Sequence, residues 1–88
     1  MEIKNRTFEA RIRLYYDTNK LANLAIDKLS EKTYKIGKKW EKEFNILMMG
    51  KDSDELKLHT VELFFIAKKL EGFKCAEVTI EEDYTIYQ

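Results

Sequence analysis

Two segments of the chain alternate between apolar and polar residues, the period of two that predicts a β-strand with one buried face. The first spans residues 7–16, where the apolar positions are Phe8, Ala10, Ile12, Leu14 and Tyr16. The second spans residues 73–82, with Ala76, Val78 and Ile80 on the apolar side, and the pattern allows it to continue through residues 84–87. We therefore expect a strand early and another late in this sequence.

Two other segments have apolar residues at the spacing of an amphipathic helix. The first follows Asp17 or Thr18, either of which can serve as its N-cap, and runs to about residue 32. The second follows an acidic cap at Asp52, with Glu55 three residues later as in a capping box, and Gly72 ends it. The core-facing stripes are Leu21, Ala22, Ala25, Ile26 and Leu29 in the first helix, and Leu56, Leu63, Ile66, Ala67 and Leu70 in the second.

The second helix also has an apolar stripe on its opposite side. Leu58, Val61 and Phe65 are separated by three and four residues, so they share one helical face that points away from the core stripe. A second apolar face is typical of a helix that docks into a groove or onto another copy of itself. The alternative is that residues 84–88 fold back and cover this stripe.

Residues 33–50 fit two descriptions. Tyr34 and Ile36 alternate with polar neighbours, as do Phe44, Ile46 and Met48, which favours a hairpin that turns near residues 41–42. A helix over residues 38–49 also fits the spacing, and the turn lacks Gly, Asn and Asp. Burial decides for the hairpin, because two amphipathic helices need a sheet of more than two strands to cover their apolar faces.

The resulting order is β-α-β-β-α-β over one compact domain of residues 1–88. This order resembles the ferredoxin-like split βαβ fold, an antiparallel sheet with both helices on one face and the first and third strands in the centre. The fold hosts many unrelated functions. An RNA-recognition motif would need an aromatic motif where the third strand has residues 44–49, and heavy-metal-binding relatives would need paired cysteines after the first strand, so no family is assigned.

Composition narrows the classes of protein further. The chain is 44% hydrophobic and 36% charged with a formal net charge of zero, so it is expected to fold and to lack a long-range field toward nucleic acid or membrane. Its longest apolar run, residues 61–67 with Glu62 inside it, is too short to span a bilayer, and residues 1–6 do not resemble a signal peptide. We therefore expect a cytoplasmic protein without a membrane partner. Cys75, the only cysteine, is expected to be a small packing residue.

Catalytic and cofactor chemistry finds no support in the residue pattern. His59 is the only histidine, and with one cysteine it does not form a metal-ligand set, so we expect no metal, no cofactor and no enzymatic activity. Arg11 and Arg13 on the first strand are expected to form ion pairs with Glu77 and Glu81 on the last, and phosphate binding by the two arginines is the weaker reading.

Charge is divided unevenly along the chain. Residues 1–44 contain 11 Lys and Arg against 7 Asp and Glu, and residues 45–88 contain 5 against 9. We expect the basic and the acidic concentration at opposite edges of the sheet, where lysines discourage edge-to-edge pairing. The same lysines are the candidate contacts for nucleic acid or an acidic partner: Lys28, Lys32, Lys35, Lys38, Lys39 and Lys42.

The candidate interface is apolar. It comprises Leu58, Val61 and Phe65 on the second helix and Tyr15, Trp40, Leu47 and Met49 on the open face of the sheet. The function expected from the sequence is therefore non-catalytic binding of a protein partner or a second copy of the chain. By analogy with small phage and bacterial proteins that lack catalytic motifs, this includes inhibition of a host or defence protein, in the manner of an anti-CRISPR protein. The alternative is a nucleic-acid-binding module that uses the lysine-rich edge.

Overall fold

The alternating segments form the strands and the amphipathic segments form the helices of a six-element chain. The structure, a computed structural model, describes the backbone of residues 2–87 and the side chains of residues 7–81. The elements are β1 (Glu2–Tyr16), α1 (Asn19–Glu31), β2 (Ile36–Lys39), β3 (Glu43–Gly50), α2 (Ser53–Ala67) and β4 (Phe73–Tyr87). The hairpin prediction for residues 33–50 is therefore confirmed, although Tyr34 precedes β2.

The four strands form one antiparallel sheet in the order β2-β3-β1-β4. The first and third strands are central, as predicted, and the ferredoxin-like architecture is confirmed. Alternation along β1 separates its two faces: Ala10, Ile12, Leu14 and Tyr16 are buried in the core, whereas Arg11 is exposed on the opposite, open face. Both helices pack on the core face, where Ala22, Ala25, Leu29, Leu56, Leu63 and Ala67 are buried.

Both helix starts are capped by side chains that the sequence indicated. The Thr18 Oγ1 atom accepts a hydrogen bond from the Leu21 N–H at 3.1 Å, so Thr18 rather than Asp17 caps α1. The Asp52 carboxylate accepts from the N–H groups of Asp54 at 2.9 Å and Glu55 at 3.3 Å. Helix α2 ends at Ala67, three residues earlier than the apolar stripe suggested, because residues 68–70 tighten into a turn.

The β2–β3 turn closes without Gly, Asn or Asp because a lysine side chain binds its carbonyl groups. The Lys39 ammonium donates to the main-chain oxygens of Trp40 and Glu41 and, at 2.6 Å, to the Asn19 side chain at the start of α1. The Trp40 N–H also donates to the Glu43 carbonyl at 2.8 Å. A long-range side-chain contact thus supplies what local turn chemistry lacks, which is why the turn sequence argued weakly for a hairpin.

Strands β1 and β4 continue together past the end of β3. Pairing of β3 with β1 stops at Phe8 and Gly50, whereas β1 and β4 remain paired as far as Glu2 and Tyr87. The two-stranded extension makes the molecule 50 Å long and about 22 Å wide. Residues 84–87 therefore lie along β1 and do not cover α2, so the alternative in which they shield its outer stripe is wrong; residue 88 lies outside the described residues.

Candidate protein-binding surfaces

The outer face of α2 carries the most exposed apolar stripe of the helical layer. Leu58 is 65% exposed, and Val61 and Phe65 are each 48% exposed. The same helix buries Leu56 and Leu63 on its opposite side. The two-faced pattern expected of α2 is therefore present, and the stripe lies on the side of the helix opposite its buried residues.

Aromatic contacts tie this stripe to the core. The ring of Phe65 meets Phe64 edge-on at 5.9 Å between centroids, and Phe64 meets Phe73 at 5.9 Å. Phe73 in turn contacts the buried ring of Tyr16 at 5.8 Å. The Lys68 ammonium lies 4.5 Å from the centroid of the Phe65 ring, where a cation is attracted to the aromatic face. Phe65 is thus exposed, but its ring is held in place by contacts with Phe64 and Lys68.

Charged residues flank the stripe at both ends of α2. Asp54 and Glu55 occupy the first turn, near the positive end of the helix dipole, whereas Lys68 and Lys69 follow its last turn. All four side chains are exposed. His59, also exposed, lies 3.7 Å from Glu55 and 3.7 Å from Glu62, which agrees with a solvated helix histidine.

The open face of the sheet is divided into two regions. Met49 is 67% exposed and Leu47 is 42% exposed, and they lie at one end of the face, opposite Glu9 and Arg11 on β1. Tyr15 and Trp40 lie at the other end and are half-buried. The row that contains Arg13 and the buried Asn45 separates the two regions. The sequence-predicted apolar residues of this face therefore do not form one contiguous patch.

Arg13, in the row between the two regions, contacts the residues around Trp40. Its guanidinium lies 4.6 Å from the Trp40 ring centroid and 3.6 Å from the Glu43 carboxylate. A hydrogen bond with the Tyr15 side chain, helped by the nearby Glu43 and Glu77 carboxylates, raises the pKa of Arg13 above its ordinary value. Arg13 is engaged within the chain, which argues against phosphate binding here.

The ion pairs expected between β1 and β4 take different partners. Glu77 does lie directly across from Arg13, but the short contacts of the arginines are to Glu43 at 3.6 Å and, for Arg11, to Glu9 at 3.5 Å. Glu81 lies opposite Glu9, which places two carboxylates side by side. The register that brings Glu81 to Glu9 depends on the pairing of β1 with β4, which alternation alone does not specify.

The lysine-rich edge lies on the opposite side of the sheet from the acidic strand β4, as the distribution of charge along the sequence predicted. Lys35, Lys38 and Lys39 lie at or within β2, the outer strand on the side opposite the acidic β4. Lys39 is committed to the β2–β3 turn, and the Lys38 ammonium lies 5.1 Å from the Trp40 ring. Lys28 and Lys32 follow on α1 and its C-cap, and Lys42 ends the turn. Part of the predicted basic set is therefore used to hold the hairpin.

Reactive groups are dispersed across the described part of the chain. Among residues 7–81 no cluster of three or more His, Cys, Asp and Glu side chains could hold a metal ion. Cys75 is exposed, so its expected role as a packing residue is wrong: it lies on the open face of the sheet, opposite Tyr15 on β1. Within the described residues, no helix has the length and apolar character needed to cross a membrane.

Sequence reasoning missed an apolar groove between α1 and the end of α2. Its lining includes Leu21, Ala25, Leu70 and the 49%-exposed Leu24. Val78 on β4 is also 46% exposed, because α2 covers the central strands more fully than this outer one. The signal for the groove was Leu24, an apolar residue off the core stripe of α1; nothing in the alternation of β4 distinguished Val78.

The fold has solved counterparts, although neither a family model nor a curated protein matches the chain. A dimeric ferredoxin-like protein from an uncultured marine organism matches with a TM-score of 0.57 and 9% sequence identity, over 96% of this chain and 91% of that one. The designed protein Foldit4 matches with a TM-score of 0.42 and 17% identity, over 92% and 98% of the two chains. The first likeness supports the ferredoxin-like fold and no more.

Proposed function

We propose that this chain is a non-catalytic protein-binding module whose binding surface is the outer face of α2. The observation that carries the proposal is the exposure of Leu58, Val61 and Phe65 on one helical face while the same helix fills the core from its other face. A small domain gains nothing in its own stability from three large apolar side chains kept in water. Burial of these side chains by a partner would stabilise the complex.

The stripe supplies a moderate driving force. Fully burying an aliphatic or aromatic side chain contributes about 1.5 to 3 kcal/mol, and these three are about half-exposed, so covering them is worth about 2 to 5 kcal/mol before the entropy of association is subtracted. That is enough for a weak complex or for the centre of a larger one. The similar ferredoxin-like structure is dimeric, so a second copy of the chain is the first partner to test, with another protein as the second.

The test compares the two candidate faces in matched variants. Phe65→Glu places a charge at the centre of the α2 stripe, and Met49→Lys does the same on the open face of the sheet, where Met49 is 67% exposed. We expect Phe65→Glu to lose self-association in sedimentation experiments and capture of proteins from a bacterial lysate, with little change in thermal stability. Met49→Lys should retain both.

Two results would contradict the proposal. Loss of association in Met49→Lys with retention in Phe65→Glu would assign binding to the open face of the sheet. Unfolding of Phe65→Glu without any effect on association would make the stripe part of the core.

We also propose an inhibitory action and a cytoplasmic location for this module. Inhibition of a host or defence protein is one action open to such a module, and it is tested by identifying the captured protein with mass spectrometry after nuclease treatment. Cytoplasmic location is proposed from the sequence alone, on the short apolar run at residues 61–67.

A further inference from the structure

The charges around the α2 stripe are arranged symmetrically about its centre. Leu58 and Phe65 lie at equal distances along the helix from a point between Val61 and Glu62. In sequence, Glu55 and Lys68 are also equally far from that point, as are Asp54 and Lys69, and the two lysines directly follow the last helical residue, Ala67. Each acidic residue of the first turn therefore has a basic counterpart at the same distance on the other side. A two-fold axis through that point, perpendicular to the helix, would bring opposite charges together at both ends.

The apolar positions have the spacing of a helix–helix seam. Residues 54, 58, 61, 65 and 68 are separated alternately by four and three residues, the repeat by which two helices interlock side chains along their length. The three middle positions are Leu58, Val61 and Phe65, and the two outer ones, Asp54 and Lys68, carry opposite charge. Such a seam has an apolar centre with one acidic and one basic end.

The charges at the two ends are available for a partner. Among residues 7–81, neither Asp54 nor Lys69 has an ion-pair partner within 4 Å, and both side chains are exposed. Lys68 lies over the Phe65 ring, so it already stands beside the apolar centre. Aligned as an antiparallel pair, the two helices would also oppose their dipoles favourably.

From this complementarity we propose that the partner of the α2 face is a second copy of the same chain, bound as an antiparallel pair of α2 helices. This inference rests on the proposed protein-binding function and specifies its occupant. Leu58 of one copy packs against Phe65 of the other, Val61 packs near the axis, and Asp54 and Glu55 face Lys69 and Lys68 of the second copy. The axis makes every contact occur twice.

A pair of charge-reversed variants tests the geometry directly. The basic variant carries Asp54→Lys and Glu55→Lys, and the acidic variant carries Lys68→Glu and Lys69→Glu. In the proposed dimer each variant alone places like charges against each other at both ends, whereas a mixture of the two restores opposite charges at both ends. None of the four side chains is buried in the core, so both variants should fold.

We expect the wild type to dimerise weakly, with a Kd of about 10 to 1000 µM, so sedimentation equilibrium is run at several hundred micromolar. Each variant alone should dimerise at least about tenfold more weakly, and an equimolar mixture should recover wild-type affinity. Native mass spectrometry of the mixture should show the mixed dimer in excess over both homodimers. Thermal melts of each variant establish that it is folded.

The inference fails if the wild type stays monomeric, or if the mixture associates no better than its components. The proposed function has a separate criterion, since it would still hold if Phe65→Glu abolished capture of a different protein. Dimerisation of the wild type that is unaffected by both variants would place the contact between copies on another surface and would overturn the antiparallel pair.

Discussion

Tyr16 on β1 contacts three other elements of the core. Its ring stacks on Phe44 of β3 at 5.8 Å and meets Phe73 of β4 edge-on, and its hydroxyl donates a hydrogen bond to the Ala67 carbonyl at 3.0 Å. It is only 1% exposed. The Ala67 carbonyl, at the end of α2, thus accepts from the Tyr16 hydroxyl in addition to the Leu70 N–H at 3.1 Å.

Burial of Tyr16 predicts a loss of stability at alkaline pH. Desolvation raises the pKa of Tyr16 from 10.0 to about 12, because the phenolate would lose its hydration inside the core. The unfolded chain ionises first, so this contribution is present in full below pH 10 and is lost as the pH rises toward 12. The free energy of unfolding should fall by about 2 to 3 kcal/mol across that interval.

The control is Tyr16→Phe, which keeps the ring and removes the titrating group. It should be less stable at pH 7 by about 1 kcal/mol through loss of the hydrogen bond, and its stability should depend less on pH between 10 and 12. Urea denaturation at each pH measures both quantities. Equal pH dependence in the two proteins would assign the effect to other groups.

At the scale of elements, α2 both packs against the core and exposes an apolar stripe to solvent. A chain of rings runs from Phe65 at the surface through Phe64 and Phe73 to Tyr16 in the core. Adjacent residues of one helix therefore differ in function: Phe64 packs against β4, while Phe65 faces solvent. The 100° turn between consecutive residues produces this difference.

This arrangement predicts unequal costs for two neighbouring substitutions. Phe64→Glu removes the contact with Phe73 and places a charge in a half-buried site, so it should lower the free energy of unfolding by about 2 to 4 kcal/mol. Phe65→Glu removes a half-exposed ring and should cost about 1 kcal/mol or less. Urea melts of the two variants give the comparison, and the reverse order would mean that Phe65 belongs to the core.

Most elements were predictable because each follows a local periodicity. The buried positions of β1 and the cap of α2 at Asp52 follow directly from alternation and from helix-start chemistry. The β2–β3 turn was harder, since it depends on Lys39 reaching Asn19, a contact across 20 residues. The pairing of Glu81 with Glu9 depends on strand register, which no local pattern encodes. The exposure of Cys75, by contrast, follows from the alternation of β4, which places Cys75 on the same face as Glu77.

The candidate site was predictable in part. Spacing alone identified Leu58, Val61 and Phe65, because a helical face follows from residue numbers. The same reasoning grouped Trp40 with Met49 on one patch, whereas Arg13 and Asn45 separate them along the sheet. Which side chains meet on a sheet face depends on neighbours from three strands.

At the scale of the whole molecule, opposite charges occupy opposite edges of the sheet. β2 carries Lys38 and Lys39, and β4 carries Glu77 and Glu81. The formal net charge is zero, so the molecule has a charge dipole without a net charge. A basic edge of this kind protects an outer strand from pairing with other sheets.

The lysine edge predicts weak interaction with nucleic acid. Lys39 is bound in the turn and Lys38 lies by Trp40, so four of the six lysines of this set remain to neutralise phosphates. Fluorescence anisotropy with random duplex and single-stranded oligonucleotides should show no binding at physiological salt. Micromolar binding that weakens with added salt, and with Lys35→Glu and Lys38→Glu, would favour the nucleic-acid alternative.

The pairing of β1 with β4 has a consequence for how the chain reaches this fold. Partners along these strands are separated by 57 residues at Tyr16 and Phe73 and by 85 at Glu2 and Tyr87. Forming such distant contacts costs the entropy of closing a large loop before the contacts stabilise the chain, and this slows folding. On the ribosome, one side of the central strand β1 must therefore wait for β4 to be synthesised, so the rate of translation limits when the sheet is complete.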